Sequence, residues 1–363
     1  MKAYIVEKEL LSENIEKLLK QAGDTPIWAV LKGGGYGLGT VPMARALAAH
    51  GIERFCVTEL REASALREAG FTDAPILMLR QTQDPEEINA MLDLRLIFTV
   101  GSLESALVLN AIAAERAAMA EVHLKIDTGM GRYGFLPEQV DQAIRVYEYQ
   151  KNLMVGGVYT HFHSAFCSER ATRDQFERFQ QVVRQLQAAG YETGVVHCCN
   201  SSAFLRWPEM YLDGVRLGSA LLGRVGVPNR LGLHRIGYVE ADVEELRWLP
   251  AGSTVGYAAA WRAKKPTLAA IIGVGWYHGF ATENGCDLFR VRDCLRGILQ
   301  NLKRIFFRKT LTVQIGERSY PVIGRVGMVH TTVDVSDGDV KVGDKAIIQI
   351  NPLVQKGMKI LYR

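Results

Sequence analysis

Eight short apolar, β-rich runs alternate with longer amphipathic segments from residue 26 to about residue 223. The runs are Pro26–Leu31, Arg54–Thr58, Pro75–Leu79, Leu96–Val100, Glu121–Ile126, Val155–Thr160, Gly194–Cys198 and Gly214–Leu217. The segments between them, among them 40–50, 59–69, 103–120, 137–150 and 173–189, are rich in Ala, Leu, Glu, Arg and Gln and carry helical spacing. Eight β/α units over about 200 residues is the rhythm of a (β/α)8 barrel of the TIM type. A doubly wound open sheet alternates in the same way, and periodicity does not separate the two. Past Val227 short strand-like runs with turn signals (267–274, 310–315, 320–326, 331–335 and 345–350) replace the long helices. The pattern therefore predicts an α/β barrel over 8–226, followed by a mostly-β domain over 227–363. The alternating Ala3–Val6 marks a strand within residues 1–7 that is free to join that later domain.

Composition narrows the class. A chain of 363 residues with 48% hydrophobic and 23% charged positions folds as an ordinary globular protein, and it is long enough for more than one domain. A net charge of +4 is too slight to imply a nucleic-acid partner, but residues 290–309 hold seven Lys/Arg and one Asp. That stretch reads first as a solvated face. A helix with Leu295, Ile298, Leu299, Leu302 and Phe306 on one side would instead bind an anionic surface or a partner. Cys56, Cys167, Cys198, Cys199, Cys286 and Cys294 include no CxxC pair and read as buried or free thiols of a reducing compartment. Lys2, Glu7 and Lys8 precede any apolar run long enough for a signal peptide, and Asn110, Glu115 and Arg116 break the most apolar stretch. A cytoplasmic protein without a transmembrane segment is the expectation.

In a barrel, chemistry belongs at the carboxyl ends of the strands. There the sequence places Lys32 before GGGYG, Lys125 and Asp127 before TGMGRYG, His161 and His163 in THFH, His197 to Ser202 in HCCNSS, and Arg216 before LGSALLG. Each has an ordinary explanation: a solvated loop lysine, a satisfied core histidine, a tight glycine turn. Their coincidence at five strand ends is what a purely structural barrel does not need. The loops after strands seven and eight commonly hold a phosphate in this fold, and Ser201 and Gly218-Ser219 fall there. A phosphate anchored opposite an amine on the first strand suggests pyridoxal 5′-phosphate, whose aldehyde forms a Schiff base with lysine and whose ring is an electron sink.

The segments VLKGGGYG, HLKIDTGMGRYGF, THFHSA, HCCNSS, VRLGSALLG, VGYAAAW and GRVGM run along nearly the whole chain, and together they resemble the alanine racemase family. The resemblance implies a cofactor-holding barrel, a β domain, and a head-to-tail homodimer whose active site draws on both subunits. By position it implies that Lys32 binds pyridoxal phosphate and acts as one base, while Tyr257 of the other subunit acts on the opposite face of the amino-acid substrate. Two flanking bases suit racemisation, because one base would have to cross the planar carbanion. A phenol is a weak acid and needs neighbours that help it lose its proton; the resemblance puts His161 there, with Arg216 beyond it facing the pyridine nitrogen. A guanidinium cannot accept a proton, so it would keep that nitrogen unprotonated. Phosphate contacts would come from Tyr36, Ser201, Gly218, Ser219 and Tyr362, with Asn200 and His197 nearby. Arg132 and the Met328 N–H would hold the substrate carboxylate, and Lys125 matches a lysine often carbamylated in the family.

The chain departs from the family at three places. Lys32-Gly-Gly-Gly-Tyr36-Gly37-Leu38-Gly39 stands where the family resembles K-A-N-A-Y-G-H-G, which predicts a more flexible loop. Gly327-Met328-Val329 lacks the carboxylate the family usually has there, and Gly273-Val-Gly-Trp276-Tyr277-His278-Gly279 replaces a GYADG-like stretch. The altered entrance leaves serine or a larger amino acid open as substrate beside alanine. Barrel decarboxylases or aldolases and a non-catalytic cofactor carrier are the other classes. Arg216 and HLKIDTGMGR weigh against the first, and the β domain with Tyr257 weighs against the second.

Overall fold

Residues 1–282, 291–307 and 311–363 are described by the structure, a computed structural model that divides into two units, Lys8–Ile236 and Met1–Glu7 with Gly237–Arg363. Cys286, Arg290, Arg308 and Lys309 lie outside the described residues. The first strand, β1 (Lys2–Val6), belongs to the second unit. The Lys8–Ile236 unit carries β2 (Ile27–Val30), β3 (Arg54–Val57), β4 (Ile76–Met78), β5 (Phe98–Val100), β6 (Ala120–Lys125), β7 (Leu153–Tyr159), β8 (Val195–His197) and β9 (Val215–Leu217).

These eight strands form two parallel arcs, β4-β3-β2-β9 and β5-β6-β7-β8. Both seams are bonded. Ile97, just before β5, donates to Ile76 O and accepts from Met78 N, each at 2.9 Å, and at the other seam the Arg216 N–H donates to Cys199 O at 3.0 Å. The ring is closed, so the fold is a (β/α)8 barrel and not an open sheet. Closure explains the strand composition. A parallel strand covered on both faces reads as a continuous apolar run, and every residue of β2 and β4 is buried.

The surrounding helices follow equally local rules. Glu169–Ala188 starts where the Ser168 hydroxyl accepts the Ala171 N–H, and it buries Thr172, Gln175, Phe179, Val182 and Leu186 along one stripe. Pro85–Asp93 is a helix absent from the segments picked out by periodicity. It buries only Ile88 and Met91, and its start is set by the Asp84 carboxylate accepting the Glu86 and Glu87 N–H groups, with Pro85 at the first position. The unit continues past the texture change at Val227 because Asn14 holds the chain there. Its side chain is fully buried; it donates to Leu221 O (3.1 Å) and His234 O (2.7 Å) and accepts the His234 N–H (2.7 Å).

The second unit is a mostly-β domain. Its strands are β10 (Tyr238–Leu249), β11 (Thr254–Val255), β12 (Trp261–Arg262), β13 (Thr267–Ile272), β14 (Thr312–Ile315), β15 (Arg318–Pro321), β16 (Thr331–Asp334), β17 (Lys345–Ile348) and β18 (Lys359–Tyr362). The main sheet runs β15-β14-β17-β10-β1-β18, with β13 joining β10 to β16, and β11 pairs with β12 in a separate ribbon. β1 lies between β10, antiparallel, and β18, parallel, with Tyr4, Ile5 and Val6 buried. β15 stops at Pro321, short of the run to 326 that the pattern predicts; proline has no N–H to extend a ladder, and β15 is an edge strand. Helix Val291–Phe307 lies in this unit. Among the described residues no helix is long and apolar enough to cross a membrane.

Asn14→Ala leaves buried backbone groups at Leu221 and His234 without a partner, and the expected loss is about 3 kcal/mol of stability in urea unfolding. A loss below about 1 kcal/mol would mean that the His234 segment is held by other contacts.

Candidate active site

β2 hands directly into Lys32, and the glycines after it make a turn of an unusual hand. Gly33, Gly34 and Gly35 have φ of 63°, 64° and 63°, and Tyr36 follows at 55°. A left-handed turn of consecutive residues costs side chains with a Cβ about 1 to 2 kcal/mol each, so the triple glycine removes most of the strain of this path. The loop expected to be more flexible is in fact tied: Gly35 N–H bonds Leu31 O (2.7 Å), Gly37 N–H bonds Gly33 O (2.9 Å), and Gly39 N–H bonds Gly34 O (2.8 Å). Glu62 adds an anchor from the helix after β3. One carboxylate oxygen accepts the Gly34 N–H at 2.9 Å, and the other accepts the N–H groups of Thr58 and Glu59 at 3.0 and 3.1 Å. Glu62 was not among the expected site residues. Its spacing from Glu59 marks a capping box, but nothing in sequence shows that it reaches the glycine turn.

Lys32 stands at the carboxyl end of the barrel, with its amine 5.9 Å from the centre of the Tyr36 ring. The protein around the amine and then the Arg132 guanidinium lower its pKa, against an opposing pull from Glu62. Lys125 is buried at the end of β6, donates to Tyr133 O at 2.6 Å, and is brought down to about 8 by burial, then by Arg132. Burial would raise Asp127, but backbone N–H groups of Gly129, Arg132, Gly131 and Met130 outweigh it and hold its carboxyl below the usual range. That carboxylate folds the TGMGR loop around itself and so places Arg132, whose guanidinium lies 6.0 Å from the centre of the Tyr133 ring. His161 is kept neutral by burial, with the charges of Arg216, Lys32, Arg132 and Lys125 acting in the same direction. One imidazole thus senses four cations at the same end of the barrel.

Arg216 on β9 is 3% exposed and uses both terminal nitrogens. Nη1 donates to His197 Nδ1 (2.6 Å) and His197 O (3.2 Å), and Nη2 donates to Thr160 O (2.6 Å) and Cys198 O (3.3 Å). All four acceptors are neutral, and among the described residues no carboxylate pairs with this guanidinium. His197 passes the contact on, with Nε2 lying 2.9 Å from His123 Nδ1. Trp28 stacks on His197 at 6.0 Å and Tyr159 stacks on it at 5.0 Å. Burial, then Arg216, pushes His123 down to about 3, and His197 is likewise held well below the ordinary value by burial. His123 was missed from sequence because a histidine inside an apolar strand looks like a core residue.

Ser201, Gly218 and Ser219 meet at the ends of β8 and β9. The Ser201 hydroxyl accepts the N–H groups of Gly218 and Ala220, both at 3.2 Å. A Cβ on Gly218 would sit 2.3 Å from the Tyr36 hydroxyl, so the phenol lies directly over that Cα. Asn200 caps the short helix Ser201–Phe204, accepting from Ser202 and Ala203 and donating to Phe162 O. Its amide is thereby committed to backbone, as the His197 ring is committed to its neighbours. Among the described residues, the hydroxyls of Tyr36 and Ser219 have no protein partner.

Tyr257, Met328 and Tyr362 belong to the second unit. Tyr257 and Met328 line one cleft with Arg325, Val329, His330 and Thr332. Tyr257 is 73% exposed, in a turn where Ala258 and Ala259 take φ of 60° and 48°. Left-handed alanines are strained by about 1 kcal/mol each, and such turns cluster at functional sites. Tyr362 lies on β18 opposite Val6, with burial raising its hydroxyl pKa.

The family model of the alanine racemase N-terminal domain matches residues 6–225, and that of the C-terminal domain matches 236–356. The chain belongs to the alanine racemase family. It is 33% identical over 351 residues to the alanine racemase of Desulforamulus reducens, across 94% of this chain and 88% of that protein. With the alanine racemase of Carboxydothermus hydrogenoformans it shares 34% identity over 349 residues, at the same two coverages. A solved structure of the Clostridium difficile 630 alanine racemase is 25% identical and superposes with a TM-score of 0.86, covering 100% of this chain and 95% of that one.

The Lys32 amine is expected to lose its proton at lower pH than an exposed lysine, because burial and Arg132 disfavour its charged form. Glu62→Gln should move it lower still by removing the opposing carboxylate. The pH profile of amine labelling at Lys32, followed by peptide mass spectrometry, checks both. A profile matching that of exposed lysines would refute the placement.

Proposed function

We propose that this protein is a pyridoxal 5′-phosphate-dependent alanine racemase that works as a head-to-tail homodimer in the cytoplasm. The observation that carries the cofactor assignment is Arg216, a buried cation whose protein acceptors are all neutral. Such a charge is costly unless something electron-rich completes its surroundings. The four bonds use Nη1 and Nη2, and a pyridine nitrogen is an acceptor that suits the remaining Nε–H. The donor set at the far end fits a phosphate. Tyr36 and Ser219 offer unpartnered hydroxyls beside Ser201 and Gly218, and a Cβ at Gly218 would fill the space against Tyr36.

When bound, pyridoxal phosphate withdraws electrons from an attached amino acid and so acidifies its Cα–H. The protein's part is to place and move protons. Lys32 would hold the cofactor and would take or return the Cα proton on one face through Nζ, and the surroundings that lower its pKa favour the neutral amine this requires. The partner subunit's Tyr257 would serve the other face through its hydroxyl, and its exposure leaves that group available to a second copy. Arg216 cannot take a proton, so it would keep the ring nitrogen unprotonated and limit side reactions. His161, neutral among the cations, would accept a hydrogen bond from that phenol. Arg132 and the Met328 N–H would hold the substrate carboxylate. Lys125, with a pKa of about 8, has a neutral fraction able to react with carbon dioxide, and its carbamate would orient Arg132.

Lys32→Ala should abolish borohydride-trapped cofactor at this peptide and lower turnover by at least about a thousandfold. Retained trapping elsewhere would relocate the nucleophile. L-alanine in D2O should show Cα exchange with loss of optical activity, and the absence of both for every amino acid tried would defeat the enzyme assignment. Tyr257→Phe should slow proton removal from one enantiomer more than from the other. Gly218→Ala should weaken phosphate binding more than it changes substrate affinity once the cofactor saturates, and equal affinity for pyridoxal phosphate would remove Gly218 from the cradle.

A further inference from the structure

Helix Val291–Phe307 contributes nothing to the site described above, yet it has a strongly two-sided surface. Val291, Leu295, Ile298, Leu299, Leu302 and Phe306 are all exposed, from 43% at Leu302 to 78% at Phe306. At 3.6 residues per turn these side chains fall within an arc of about 100°. Arg292, Lys303 and Arg296 follow on one edge, within about 60° of it. Asp293 is the only acidic residue in the helix. A folded chain does not ordinarily leave six large apolar side chains in one stripe facing water.

We propose that this helix seats the protein on an anionic lipid surface, with the apolar arc at the acyl boundary and the three cations among headgroup phosphates. Charge selects that occupant. The chain outside residues 290–309 sums to −2, so an anionic surface attracts the molecule here and repels it elsewhere. A second copy packed antiparallel on this stripe fits poorly, because the cationic edges of the two helices then face each other. The helix belongs to the unit of Met1–Glu7 and Gly237–Arg363, whereas Lys32, Lys125, His161 and Arg216 belong to the other unit.

Cosedimentation of the full-length protein tests this, with vesicles of mixed phosphatidylglycerol and phosphatidylcholine set against phosphatidylcholine alone. Binding to the anionic vesicles should be at least about tenfold stronger and should weaken as salt is raised. Leu299→Glu with Leu302→Glu, and separately Arg292→Glu with Arg296→Glu, should each reduce it about tenfold at unchanged melting temperature. Two independent pairs keep the test meaningful if one variant folds poorly. The proposal is overturned if the wild type stays in the supernatant with both vesicle types, or if both variants sediment as it does. It is equally overturned if vesicles are not bound and gel filtration shows a larger assembly that Leu299→Glu with Leu302→Glu dissolves, since the stripe would then be a protein interface.

Discussion

Everything at the barrel's carboxyl end depends on β2 pairing with β9, Trp28 standing opposite Arg216 in register. That pairing joins the first strand of the barrel to the last. It brings a lysine from the start of the unit and an arginine from near its end to the same rim, although 184 positions separate them. A slip of one residue would reverse every side chain of β9, turning Arg216 away from His197 and Thr160. The register is protected by burial on both faces, because Trp28, Val30, Cys56, Leu77 and Ile97 form one apolar cluster while Ile27 and Ala29, on the other face of β2, are buried too. The core and the site are therefore two ends of the same strands.

The histidines beside Arg216 act as a spacer whose protonation follows from its donor. A guanidinium only donates, so His197 must offer a lone pair at Nδ1 and carry its proton on Nε2, which then donates to His123 Nδ1. Protonating either ring would set a charge against Arg216 within a buried stack that includes Trp28 and Tyr159. Burial and that repulsion act together, and both rings stay neutral. The chain of contacts thus fixes the orientation of the arginine without compensating its charge. That is the condition in which Arg216 acts most strongly on whatever occupies the rim.

Much of this was legible in the chain, and the illegible parts have definite causes. The eight strands stood out because parallel strands buried on both faces become unbroken apolar runs, while the helices between them kept polar outer faces. Lys32, His161, Ser201 and Arg216 were legible because strand ends are where polar residues in a barrel need explaining. Pro85–Asp93 was not singled out; it turns only Ile88 and Met91 inward and declares itself by its Asp84-Pro85 start instead. Glu62 and His123 escaped for a different reason: each acts across the fold, on the glycine turn and on His197, and neither reach leaves a mark in local spacing. The glycine turn shows the converse. Three glycines in a row imply freedom, yet the left-handed path they permit is closed by hydrogen bonds, so here glycine serves geometry and not mobility.

The least comfortable part of the barrel end is the pairing of Lys125 with Arg132. Both are held by Tyr133, one through its carbonyl and ring and the other over the ring, and the guanidinium disfavours the lysine's charge. Asp127 lies close enough to favour a charged Lys125, but its oxygens are already committed to the backbone of the loop. Two like charges repel, and more strongly as the local dielectric falls. The protein relieves that repulsion by lowering the lysine's pKa. The proposed carbamate would relieve it more fully, because it replaces a cation with an anion at the same atom and turns repulsion into an attraction that aims the guanidinium. A fixed guanidinium is what a small carboxylate needs in order to be held by two parallel bonds, and so the strain at Lys125 has a use only if Arg132 is the residue that receives the substrate.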